Sequence, residues 1–168
     1  MSRLVLPLFL AALMALPVPR AARANDADGQ CAVLLHGLGR TGSSLVVMEQ
    51  LLAAAGYRVV TVDYPSTEET IDGILGHVSD AVAECGTDTV NFVTHSMGGI
   101  VARAFIAARR PDNLGRVVML APPNAGSEIV DRFGDLVLFT RLAGPAGAEL
   151  GTNPDALVNR LGPVDFDL

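Results

Sequence analysis

Four short apolar runs constrain the fold of this chain most: CAVLLH from Cys31, YRVVTVD from Tyr57, TVNFVT from Thr89 and RVVML from Arg116. None alternates cleanly between apolar and polar residues, as a strand with one wet face would. Behind the first come Leu45, Met48, Leu51, Leu52 and Ala55 at helical spacing, and behind the second Ile71, Ile74, Leu75, Val78 and Val82. IVARAFIAARR follows the third. Strand and helix in alternation predict a mostly parallel sheet with helices on both faces, a three-layer α/β sandwich. Local signals set the helix ends. Ser43 or Ser44 caps the first helix and Gly56 stops it. Ser66 with Glu69 three residues later reads as a capping box for the second.

The first 24 residues differ in kind. Arg3 is followed by the apolar run LVLPLFLAALMALPV, then by the small-residue pattern Ala22-Arg23-Ala24. That order predicts a secretory signal peptide cleaved after Ala24. The run is shorter than the roughly 20 apolar residues that a membrane-spanning helix needs, and an uncleaved N-terminal anchor is the alternative. The expected destination is the periplasm or the outside of the cell. Losing Arg3, Arg20 and Arg23 moves the formal charge from −6 to −9, because every basic residue is arginine. So acidic a chain is a poor match for phosphate backbones, which excludes nucleic acid as the expected partner. Cys31 and Cys85 are expected at the same end of the sheet. In an exported chain they are candidates for a disulfide, with two separate buried thiols as the alternative.

Two turns carry chemical signals. GLGRTG, Gly37 to Gly42, fits the G-x-G-x-x-G pattern between a strand and a helix, and Asp63 ends the next strand. Read as a dinucleotide site, that loop would hold a pyrophosphate and Asp63 a ribose hydroxyl. THSMGG, Thr94 to Gly99, also lies between a strand and a helix. It has the small-x-Ser-x-Gly form of a nucleophile elbow, in which Ser96 takes a strained turn. Gly98 and Gly99 leave room downstream, whereas Thr94 puts a β-branch where glycine is usual. The dinucleotide reading gives no reason for His36 before Gly37, nor for THSMGG.

LLHGLG, DYP at Asp63–Pro65, THSMGG and LAPPNAGS, in this order, resemble the α/β-hydrolase family, and most its small secreted bacterial lipases and esterases. The likeness runs from Cys31 to Ser127 and more loosely to the end. It implies an acyl-enzyme on Ser96, formed from a carboxylic ester, small or lipid. The amides of Leu38 and Met97 would be the oxyanion donors, with His36, Gly37, His95 and Gly98 supporting them. No cofactor is implied. No Cys/His/carboxylate spacing suggests a metal site.

The resemblance also exposes a gap. A serine hydroxyl needs a base, and the family's order is serine, acid, histidine. After His95 there is no histidine. His36 belongs to the oxyanion loop, His95 should point away from its neighbour Ser96, and His77 is expected on a solvent face. The terminal VDFDL reads as the start of a further strand, so the acid and histidine are expected beyond Leu168. The chain as given is then an incomplete hydrolase domain, residues 25–168, with little or no activity. A non-catalytic secreted protein on the same scaffold is the alternative. Asp112, Asp131, Asp135 and Asp155 read as caps and solvated faces. Residues 124–160 are the candidate cap over an acyl pocket; Ile129, Val130, Phe133, Leu136, Val137, Leu138 and Phe139 read as a lipid-facing stretch, with ordinary core packing of a capping helix as the alternative.

Overall fold

The computed structural model describes residues 27–134 and 137–167, without the side chains of 137–140 and 142. The predicted leader 1–24, Asp135 and Leu136 lie outside the described residues. Strands β1 (Gln30–Leu35), β2 (Arg58–Val62), β3 (Thr89–His95) and β4 (Leu114–Leu120) form one parallel sheet in the order β2-β1-β3-β4. The helices α1 (Val46–Ala54), α2 (Ile71–Glu84) and α3 (Met97–Arg109) connect them. The expected α/β layering is therefore present. The tail adds α4 (Glu128–Phe133), α5 (Val137–Ala148) and α6 (Leu157–Arg160). Among the described residues no helix is long and apolar enough to cross a membrane.

Alternating residues of β1 explain the two faces. Cys31, Val33 and Leu35 point into the main core with Ile71, Ile74 and Val78 of α2 and with Ile100, Val101 and Phe105 of α3. Ala32 and Leu34 point the other way, to Leu45, Met48 and Leu52 beside α1. That second layer is thin. Leu45, Met48 and Leu52 lie along one line of α1, while Leu51 falls to the side of it and is 63% exposed, contrary to the sequence reading. The chain goes from β1 outwards to β2, then crosses to β3 on the opposite side. This reversal opens a crevice at the carboxyl ends of β1 and β3, the usual place for a site in such a sheet.

Three local expectations need correction. The cap of α2 is Thr70, whose hydroxyl accepts from the Gly73 amide at 3.1 Å. Ser66 lies four residues too early for that role. Neither Ser43 nor Ser44 caps α1; a short 3-10 turn, Gly42–Leu45, precedes it, and Ser44 donates back to the Thr41 carbonyl at 2.8 Å. VDFDL forms no strand over its described residues. The chain arrives there from Gly162, with φ 66°, and Pro163. It meets β4 through a single bond, from the Val117 amide to the Asp167 carbonyl at 2.9 Å.

Cys31 and Cys85 are bonded to each other, with their Cα atoms 5.6 Å apart. The bridge ties the start of β1 to the end of α2. On loop-entropy grounds a closed loop of this size stabilises by about 4 kcal/mol.

Candidate active site

β3 hands over to α3 at Ser96, which has φ 53° and ψ −124°. A side chain in the left-handed region costs about 1–3 kcal/mol and persists only where its surroundings impose it. They do so here from three directions. The Ser96 amide donates to the Leu120 carbonyl at 2.9 Å, and the Gly99 amide to the Ser96 carbonyl at 2.9 Å. Underneath, α3 passes so close to the end of β1 that a Cβ on Gly98 would overlap the Leu35 carbonyl oxygen and lie 2.8 Å from that of His36. Thr94, the apparent misfit, is fully buried, and its hydroxyl donates to the Val118 carbonyl at 3.3 Å. Gly99 leaves room for Pro122, since a Cβ there would lie 2.9 Å from the Pro122 Cβ. A second strained residue, Ala121 with φ 49°, follows Leu120 at the end of β4. No sequence signal marked it.

The loop after β1 meets this elbow. Because Leu35 is paired with Thr94, the two strands deliver Gly37 and Ser96 side by side. A Cβ on Gly37 would lie 3.2 Å from the Ser96 Cβ and 3.2 Å from His95 Nδ1. Leu38 comes next. Its peptide plane is held through the Gly37 carbonyl, which accepts from the Arg40 amide at 3.2 Å and from His36 Nδ1 at 2.9 Å. His36 is fully buried and stacks on Tyr64 with ring centroids 4.0 Å apart. The Tyr64 amide donates to His36 Nε2 at 3.4 Å, which selects the tautomer that puts the proton on Nδ1. The Tyr64 hydroxyl donates to the His36 carbonyl, and burial pushes its pKa above the ordinary tyrosine value. Met97 is the first residue of α3, so its amide has no partner within the helix. Asp63, assigned to a ribose in the dinucleotide reading, accepts from the Gly42 amide at 3.0 Å.

A model of the alpha/beta hydrolase family matches residues 32–167. The chain belongs to that family. Among curated proteins it is 29% identical over 149 residues to a triacylglycerol lipase of Burkholderia plantarii, covering 79% of this chain and 41% of that one. A triacylglycerol lipase of Pseudomonas fragi is 31% identical over 90 residues, covering 54% of this chain and 30% of the relative. The chain thus spans less than half the length of these relatives. Among solved structures, phospholipase PlaB from Legionella pneumophila superposes with a TM-score of 0.62 at 20% identity, covering 82% of this chain and 36% of that one. This last likeness speaks for the fold alone.

Within this hydrolase fold the three histidines stand as follows. His36 is committed to the loop. His77 is half-exposed rather than free on a solvent face, because its Nε2 lies 3.4 Å from a Glu69 carboxylate oxygen. His95 is exposed, with Nδ1 against Gly37. Asp131 is no helix cap. It accepts from the Thr152 amide at 2.9 Å and from the Thr152 hydroxyl, and these bonds hold its carboxyl below the ordinary aspartate range. Asp112 and Asp155 are exposed, as expected.

Two residues of the hydrolase were missed by sequence reading. Arg103, 7% exposed, donates from mid-α3 to Asn124 Oδ1 at 3.0 Å and to the Gly162 carbonyl at 2.6 Å. A lone arginine inside IVARAFIAA was the available signal. Glu149 accepts from the Ile71 amide at 3.1 Å, and burial raises its carboxyl above the ordinary glutamate value. In the expected cap, Ile129 and Phe133 of α4 are 62% and 41% exposed, whereas Val130 is half-buried against the core.

Proposed function

We propose that this chain carries the nucleophile and oxyanion half of a serine hydrolase acting on carboxylic esters, of lipase or esterase type. The observation that carries this reading is the contact between the strained Ser96 and the loop at Gly37. A tetrahedral adduct on Ser96 Oγ would have the Leu38 and Met97 amides on its oxygen. Preorganised donors of this kind are worth about 3 kcal/mol each in the transition state. The base and its orienting acid come from outside the described residues, since His36 and His77 are engaged elsewhere and His95 shares the elbow with the serine. Alone, residues 25–168 should turn over esters very slowly, from the oxyanion hole and binding alone.

The lipase relatives support an ester substrate, and the exposed Ile129 and Phe133 support contact with a lipid surface. Export, with cleavage after Ala24, belongs to the same proposal and is supported by the Cys31–Cys85 bridge, since disulfides persist outside the cytosol. One observation favours a second reading, a non-catalytic secreted protein: each histidine within the described residues is tied up or misplaced. A fluorophosphonate probe separates the two. Slow labelling of Ser96 that disappears in Ser96→Ala is expected for the hydrolase; an unreactive Ser96 in a folded chain, with no base encoded downstream, leaves the non-catalytic reading.

A further inference from the structure

The Leu38 amide can serve an oxyanion only while its turn is fixed, and a group with no part in the reading above does the fixing. The bond from the Arg40 amide to the Gly37 carbonyl closes a four-residue turn whose third residue, Gly39, has φ 64°. A positive φ at that position marks a type II turn. Types I and II differ by a flip of the central peptide, here the one joining Leu38 to Gly39. The N–H of that peptide donates to Ser66 Oγ at 3.0 Å. Ser66 is 4% exposed, and its own amide is held by the Tyr64 carbonyl at 2.8 Å, so the hydroxyl oxygen arrives at a fixed place. The neighbouring supports act elsewhere. Asp63 takes the Gly42 amide, beyond the turn. The Tyr64 hydroxyl takes the His36 carbonyl before the turn.

We propose that Ser66 is a positioning residue for the oxyanion turn: through the Gly39 N–H its hydroxyl anchors the turn that carries the Leu38 amide next to Ser96. The inference rests on the reading of Ser96 and Leu38 as nucleophile and donor. Without the hydroxyl, the Gly39 N–H turns to solvent and the Gly37–Arg40 turn loses its tie to the buried Ser66, so the Leu38 amide is no longer held in place beside Ser96.

The full chain is tested as Ser66→Ala and Ser66→Thr. Ser66→Ala should slow fluorophosphonate labelling of Ser96 by about tenfold, part of the loss known for deleting a donor outright. Ser66→Thr, which keeps the hydroxyl, should restore the rate. Amide exchange at Gly39, followed by NMR, should quicken in Ser66→Ala and not in Ser66→Thr. A merely structural role would lower the thermal midpoint and leave the labelling rate of folded protein unchanged, which would overturn the proposal. So would Gly39 protection that survives Ser66→Ala. This second readout needs no reactive serine: if the unaltered chain takes no probe, Ser96 as nucleophile is in doubt, while quickened exchange at Gly39 still supports the grip of Ser66 on the turn.

Discussion

The elbow with its loop and the tail from Pro122 onwards are built by different means. At the elbow, backbones approach until a methyl group has no room: Gly98 lies against the carbonyls of Leu35 and His36, and Gly37 against Ser96. The tail joins the layers below it by packing Ala146, Leu150, Ala156 and Val158 into the main core and by polar ties that can be cut singly. Arg103 holds Asn124 and Gly162, Glu149 holds the Ile71 amide, and the Ala146 amide donates to the Glu69 carbonyl at 3.1 Å. One close approach breaks the pattern, since Gly144 in the kink of α5 lies against the Thr67 carbonyl. The lesson is that a catalytic geometry within fractions of an ångström is set by main-chain proximity. A covering segment is held by side-chain packing together with a few directed bonds.

Gly98→Ala should make the largest difference. Its new methyl group meets main-chain oxygens that cannot turn aside, so a loss of about 3 kcal/mol in urea unfolding is expected, with slower labelling of Ser96. Arg103→Met should cost about 2 kcal/mol through lost hydrogen bonds to Asn124 and to the Val158 and Gly162 carbonyls and make residues 122–162 easier to proteolyse. Its labelling rate should stay within about twofold of the unaltered chain, given the weak coupling expected between independent sites. A fall as deep as that of Gly98→Ala would mean the two regions are not separable.

Glu149→Gln should have the smallest effect, and its sign is fixed. Burial raises the Glu149 carboxyl in the folded chain, so the stability it contributes is full below the ordinary glutamate value and declines as pH rises through the raised value. Glutamine keeps an acceptor for the Ile71 amide and has no charge to bury. The thermal midpoint of the variant should therefore lie slightly above the unaltered one at neutral pH, with the gap closing in acid. A midpoint that falls at neutral pH would show that the ionised carboxylate is a tie the tail needs.

Most of the sheet and the elbow was legible because the decisive signals are local. Uninterrupted apolar runs mark the buried strands, and THSMGG marks the turn where glycine must follow serine. What escaped depends on which atoms meet across the chain. S-x-x-E spacing at Ser66 and Glu69 fits a capping box, yet spacing cannot tell that Thr70 stands nearer the orphan amides or that Gly39 is within reach of Ser66. The cost of Thr94 was unreadable until Val118 was seen to accept its hydroxyl. VDFDL alternates like a strand, but a ladder needs a partner in register, and Asp167 offers β4 one carbonyl. Ala121 shows no trace in sequence, because its strain is imposed by the elbow it adjoins.

The Cys31–Cys85 link has a further consequence. The whole Gly37–Arg40 turn, β2, the segment Asp63–Ser66 and all of α2 fall between the two sulfurs. A protease that nicks the exposed rim at Arg40 or Glu68 would therefore leave one covalent molecule, its severed ends still docked beside Ser96. Only a reductant would part the fragments, so damage to this rim would stay invisible on a non-reducing gel.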